Sequence, residues 1–240
     1  MSLKNETVAI IGGSRGIGLG VAEAAKELGA AVTIISRNPQ AAADKLGVAC
    51  LSTDARSENA LRDTFAQLGE IDHLVCTQHN AQTDLLPFAM TSLDKLDLEK
   101  SKQFMLSKYW SQFMSLQIGA PNVKESGSIT LTSGVAGSNY LDNHSVIGPN
   151  NCAINGLALY GARELAPKRV NVVSPGLVHT PLYDDIDPHL WEHLKADFEK
   201  LNPVGWVAEP EHIAAAYIFV LTSPYLTGTV IPIDGGFLTT

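Results

Sequence analysis

Short apolar runs rich in β-branched residues alternate along this chain with stretches whose apolar positions recur every three or four residues. Residues 7–11 read as a first strand. Over residues 16–28, Ile17, Val21, Ala24, Ala25 and Leu28 fall on one helix face, and Gly29 is placed to end that helix. The same pattern predicts strands over 31–35, 48–52, 73–76, 128–132, 169–173 and 229–233. It predicts helices over 39–46, 57–68, 93–116, 151–165 and 210–221, and a shorter one at 188–201 inside the irregular stretch 176–207. Strand–helix alternation of this kind implies right-handed crossovers and a parallel sheet covered on both faces. The expected fold class is α/β, a doubly wound parallel sheet of about seven strands in a single domain over residues 1–240. No internal repeat, low-complexity tract or linker breaks the pattern, and the mixed-sign run at 95–102 reads as a solvated helix face.

Composition narrows the partners. Lys and Arg total 17 against 25 Asp and Glu, a formal net charge of -8, which argues against a nucleic-acid surface. No apolar run approaches the roughly 18 residues of a membrane span. The polar N-terminus does not read as a secretion signal. Cys50, Cys76 and Cys152 sit among apolar neighbours without metal-like spacing. They are expected to be buried free thiols in a reducing cytoplasm, and no metal site is expected.

The first strand runs into a glycine-rich turn that opens the first helix, the context a dinucleotide-binding turn requires. Gly12 permits the tight turn, Gly16 lets backbone approach a pyrophosphate, and Gly18 lets the helix pack closely on the sheet. The stretch from Gly12 through Ser14, Arg15, Gly16 and Ile17 to Gly18 is the expected phosphate cradle, at a helix N-terminus whose amides and dipole favour anions. The second strand ends at Ile35, Ser36 and Arg37, with no acidic residue to hold ribose hydroxyls. Arg37 and Arg15 can grip a 2′-phosphate instead, so NADP(H) is favoured over NAD(H). The plainer alternative is that both arginines are simply exposed.

The spacing Gly12-x-x-x-Gly16-x-Gly18 resembles that of the short-chain dehydrogenases/reductases. So do the segment from Gly127 through Ser133 and Gly134 to Gly137, the region from Leu157 to Pro175, and the C-terminal Leu226-Thr-Gly228 and Asp234-Gly-Gly236. The resemblance spans essentially the whole chain and implies a Rossmann-like fold. It also implies that Asp54 contacts the adenine, with a helix N-cap as the alternative role. Pro175, Gly176, Val178 and Thr180 match the segment that holds the nicotinamide carboxamide.

That family moves hydride between a nicotinamide and a carbonyl or alcohol. A Tyr moves the proton, a Lys lowers its pKa, a Ser orients the oxygen, and an Asn supports a water relay. Here the resemblance puts Gly134 at the Ser position, Ile147 at the Tyr, Asn151 at the Lys and Lys108 at the Asn. Residues 76–79, Cys-Thr-Gln-His, replace the usual Asn-Asn-Ala-Gly. The candidate catalytic residues are therefore Lys108 as proton donor or oxyanion stabiliser, Ser133 if its Oγ reaches the cleft, and Asn151 as a ribose contact. Tyr140 and His144 share the four-residue spacing of the missing pair and are weaker candidates, lying early in a loop. Tyr109 and Trp110 read as packing residues.

Two functions fit. One is an NADP(H)-dependent oxidoreductase with a rearranged proton donor, acting on a small carbonyl, alcohol or imine. Its lid spans about 180–207 and carries Tyr183, Leu190, Trp191 and Phe198, implying a moderately hydrophobic substrate. The alternative is a non-catalytic NADP(H)-binding sensor or an inactive scaffold subunit. By resemblance, the long helices at 93–116 and 151–166 imply a homodimer or homotetramer.

Overall fold

The computed structural model describes residues 1–79, 85–184 and 186–239, so position 185 of the expected lid lies outside the described residues. Seven strands form one parallel sheet: β1 (Thr7–Ile11), β2 (Ala31–Ser36), β3 (Ala49–Ser52), β4 (Ile71–Cys76), β5 (Val123–Thr132), β6 (Arg169–Pro175) and β7 (Val230–Ile233). Their spatial order is β3-β2-β1-β4-β5-β6-β7, and each neighbouring pair is parallel. The strand order reverses between β1 and β4, which opens a crevice at the carboxyl ends of those strands.

Alternation along the strands feeds two cores. Ala9 and Ile11 of β1 face one side, with Phe65, Leu74, Leu131 and Ile154. That side is covered by α3 (Glu58–Leu68), α6 (Ser111–Gly119) and α7 (Ile147–Glu164). Val8 and Ile10 face the other side, with Val21, Ile34, Ile213 and Tyr217. There α1 (Gly16–Glu27), α2 (Gln40–Leu46) and α9 (Pro210–Thr222) close the layer. Burying each such Val, Leu, Ile or Phe stabilises by about 1.5–3 kcal/mol, so continuous apolar strands are what a two-sided sheet demands.

Several elements depart from the sequence expectation. Residues 93–116 do not form one helix. A short 3-10 turn (Leu93–Lys95) is followed by α5 (Leu98–Met105), a π segment (Leu106–Trp110) and then α6. Leu96 is extended, and Asp97 restarts the helix by accepting from the Lys100 N–H at 2.9 Å. The helix expected from 151 begins at Ile147, because Pro149 lies in the first turn, where its missing N–H costs nothing. A short helix, α4 (Leu85–Ala89), was not signalled, and β5 begins five residues earlier than the pattern indicates. The expected helix at 188–201 is present as α8 (Pro188–Leu201).

The cysteines also differ from expectation. Only Cys76 is buried, while Cys50 is partly exposed and Cys152 is exposed. The apolar residues beside Cys152 belong to the opposite face of α7. No helix among the described residues is long and apolar enough to cross a membrane.

Candidate active site

The carboxyl ends of β1, β2, β4, β5 and β6 bring together most of the residues singled out above. After β1, Gly12 adopts φ +87°, and a Cβ there would stand 2.7 Å from Thr77 Oγ1 and 2.8 Å from the Gln78 nitrogen. Gly18 is tighter still: a Cβ would lie 2.3 Å from the Gly12 carbonyl oxygen and 2.5 Å from Thr77 Oγ1. Thr77 Oγ1 meanwhile donates to the Ile11 carbonyl at 3.0 Å. The turn, α1 and the end of β4 therefore interlock only if both positions lack a side chain. Arg15 caps α1 in an extended conformation without a side-chain bond, and no acidic residue occupies the first turn. The helix-end amides are left for an anion.

At the end of β2, Ser36 Oγ is buried without a partner. Arg37 and Arg15 are both exposed. Asp54 is held by Arg56 at 2.7 Å, which keeps its carboxyl below the usual range, with Arg37 adding to the effect. The cap of α3 is Ser57, accepting from Ala60 N, so Asp54 is not that helix's N-cap. Beyond β6, Gly176 N donates to Ile233 O at 3.0 Å and His179 N to Ala208 O at 2.8 Å, fixing the stretch that carries Val178. Thr180 lies against Gly16, whose added Cβ would be 3.3 Å from Thr180 Cβ. The segment after Pro175 is thus laid over the phosphate turn.

Lys108, Gly134 and Asn151 meet at one place. Lys108 lies in the π segment, where Ser107 Oγ donates to Phe104 O (2.8 Å) and Ser111 Oγ to Ser107 O (2.9 Å) and Lys108 O (3.1 Å). These hydroxyls satisfy carbonyls that the irregular turn misaligns. α6 is pinned to the end of β5 by a two-way amide contact. Gln112 Nε2 donates to Thr132 O, and Thr132 N donates to Gln112 Oε1, both at 2.9 Å.

So anchored, Lys108 Nζ donates to Asn151 Oδ1 at 2.7 Å and to the Ser133 carbonyl at 2.8 Å. The residue retains some exposure along its stem, but its ammonium is enclosed. Burial pushes it down to about 8, and no carboxylate pairs with it among the described residues. Gly134 and Gly137 make room for this pair. A Cβ on Gly134 would approach Asn151 Nδ2 to 3.0 Å, and one on Gly137 would lie 2.7 Å from Asn151 Cβ. The residues at 108, 134 and 151 are therefore mutually dependent in space.

Other candidates do not join this group. Ser133 contributes its carbonyl, whereas its Oγ is sealed in the interior without a partner. Its side chain alternates away from the cleft, as the strand period dictates. Tyr140 is 81% exposed with its hydroxyl on Asp142 at 2.7 Å, and His144 Nδ1 bonds the Asp142 carbonyl at 2.7 Å. Both are held by a local turn. Tyr109 packs on the core, but Trp110 is 44% exposed and stacks on Phe113 at 5.0 Å.

Two residues of the site had no sequence signal beyond their place after β4. Gln78 is buried and donates to Ser115 Oγ at 2.9 Å. His79 packs edge-on against Phe104 at 5.1 Å, with Nε2 unpartnered. Burial and the Lys108 charge push His79 down to about 3, so it is neutral at physiological pH.

Ile147 joins Leu182, Tyr183, Leu190 and Trp191 in packing against one apolar cluster. Trp191 contacts Tyr183 at 4.8 Å and His179 at 5.4 Å. Phe198 instead stacks on Phe237 at 4.9 Å and anchors α8.

A doubly wound parallel sheet with a glycine turn and a helix N-terminus at its switch point defines a Rossmann-like dinucleotide-binding fold. The sequence pattern of the family described as Enoyl-(Acyl carrier protein) reductase matches residues 11–238. Carbonyl reductase family member 4 of Xenopus laevis is 32% identical over 97% of this chain and 98% of its own length. The 3-oxoacyl-(acyl-carrier-protein) reductase of Homo sapiens is 32% identical over the same shares. A solved small-chain dehydrogenase in complex with NADPH superposes with a TM-score of 0.86 at 30% identity, covering 98% of this chain and 99% of that one. The chain belongs to the short-chain dehydrogenase/reductase family, a family of oxidoreductases.

Proposed function

We propose that this protein is an NADP(H)-dependent oxidoreductase that transfers hydride to or from a small carbonyl, alcohol or imine compound, with Lys108 as the proton donor in reduction. The observation that carries the reading is the enclosed Lys108 ammonium on Asn151, beside an otherwise intact cofactor frame. Gly12, Ser14, Arg15, Gly16, Ile17 and Gly18 hold the pyrophosphate, and Asp54 holds the adenine. Pro175, Gly176, Val178 and Thr180 hold the carboxamide. The exposed Arg37 beside Ser36 fits a 2′-phosphate, and the absence of a carboxylate at the end of β2 favours NADP(H) over NAD(H).

Bound in this frame, the nicotinamide supplies or accepts the hydride. When a carbonyl carbon takes that hydride, its oxygen gains the electron pair and withdraws a proton from Lys108 Nζ. The neutral amine regains a proton from solvent. An ammonium near 8 is well matched to this task, because it is charged at neutral pH and releases its proton readily.

The apolar cluster around Tyr183, Leu190 and Trp191 supports a lid at about 180–207 and a moderately hydrophobic substrate. Exposed Leu106, Trp110, Leu159 and Tyr160 on the π segment and α7 support homo-oligomer contacts there. The three free thiols suit a reducing cytoplasm.

The test is NADPH oxidation and product formation with a panel of ketones, aldehydes and imines. Turnover that Lys108→Met removes supports the reading. Tight NADPH binding with no turnover of any compound favours the sensor or scaffold alternative, and no binding of NADP(H) sinks both.

A further inference from the structure

Asn151 is 2% exposed, yet only one end of its amide is satisfied. Oδ1 accepts from Lys108 Nζ at 2.7 Å. An ammonium has donors only, so this bond fixes which way the amide faces: oxygen toward Lys108, NH2 away from it. Nδ2 makes no hydrogen bond to a described residue, and unlike Ser133 Oγ it is not sealed in the interior. It lies 3.0 Å from where a Cβ on Gly134 would stand. Gly134 is the position at which the family pattern places the oxygen-orienting serine. A pair of amide hydrogens therefore occupies the space next to a missing hydroxyl, and desolvation makes such a donor strong.

We propose that the Asn151 side-chain N–H donates the hydrogen bond to the substrate's carbonyl oxygen that a serine at position 134 would otherwise give. Lys108 is thus both the proton source and the group that orients this donor. Gly134 is small because the donor now arrives from α7 and not from the end of β5. The inference rests on the reductase reading above, and its test separates the two.

Asn151→Asp keeps an acceptor for Lys108 and removes the N–H. With ketones that the wild type reduces, kcat/KM read at saturating NADPH should fall about 100-fold or more, the usual cost of one oxyanion donor. The second readout needs no turnover. Acetophenone labelled with 13C at the carbonyl is added to the protein saturated with NADP+, and its carbonyl resonance is read by NMR. A downfield shift in the wild type that Asn151→Asp abolishes supports the proposal even where no hydride is transferred, in which case only the reductase reading fails. No shift in the wild type, an equal shift in both proteins, or unchanged kcat/KM in the variant overturns it.

Discussion

Lys108 and Asn151 form a 2.7 Å hydrogen bond with each other across two helical elements. The amine enters from the π segment between α5 and α6, and the amide from the first turns of α7. Because the bond joins two buried groups, changing either one disturbs the other.

Replacing Lys108 with Met should lower kcat/KM for carbonyl reduction about 100- to 10,000-fold, the typical contribution of a general acid. It should also lower the melting temperature by a few degrees, since the variant leaves the Asn151 Oδ1 and Ser133 carbonyl acceptors without their donor. Lys108 is pushed below its ordinary value, so the unfolded chain binds more protons between about 8 and 10.5 and wild-type stability climbs over that window. Differential scanning fluorimetry from pH 7 to 10.5 should show the climb in the wild type, with the Met variant lacking this contribution.

The same titration sets the pH profile of activity. Reduction needs the protonated ammonium and should decline above pH about 8, while alcohol oxidation needs the free amine and should rise through that pH. Log kcat/KM against pH in both directions checks the opposite slopes.

Tyr140→Phe and His144→Ala should leave turnover within about twofold of the wild type. The Tyr140 hydroxyl and the His144 ring are both engaged by Asp142 in a surface turn, and surface changes away from a site are near neutral. A large loss in steady-state assays of either variant would return that loop to the mechanism.

Arg37→Ala should weaken NADPH at least about tenfold and leave NADH within about twofold, because a guanidinium–phosphate contact is a charge-assisted bond that NADH does not form. Fluorescence titration with both cofactors reads the ratio directly.

Far from the cleft, His73 bridges Ser128 Oγ at 2.8 Å and Glu6 at 2.7 Å between the amino-terminal ends of the strands. Burial holds it below its ordinary value despite the pull of Glu6, so it is neutral in the fold. Its contribution is intact above pH 6.5 and is lost as pH falls below that, because the unfolded chain then binds the proton more readily. Urea midpoints between pH 5 and 7.5 should drop on acidification. His73→Gln should flatten that drop while lowering stability at pH 7.5.

Much of this protein is legible in its chain. Period-two and period-3.6 patterning determines a parallel sheet with helices on both faces, and Gly12 and Gly18 mark the turn after β1 because a side chain at either would collide with backbone or with Thr77. By resemblance alone, Gly134, Ile147 and Asn151 read as the residues at positions where a serine, a tyrosine and a lysine are expected. The sequence does not show that 93–116 breaks at Asp97 and passes through a π segment, because apolar periodicity carries no signal for an inserted residue in a helical turn. It does not separate Ser133, whose hydroxyl is sealed, from Lys108, whose amine reaches across to α7. Nor does it mark Gln78 as buried or His79 as packed against Phe104. Local patterning specifies which face of an element is apolar. Which polar groups then meet depends on the register between β5, α6 and α7, set by long-range packing and by bonds such as Gln112 to Thr132, and only the tertiary structure decides that register.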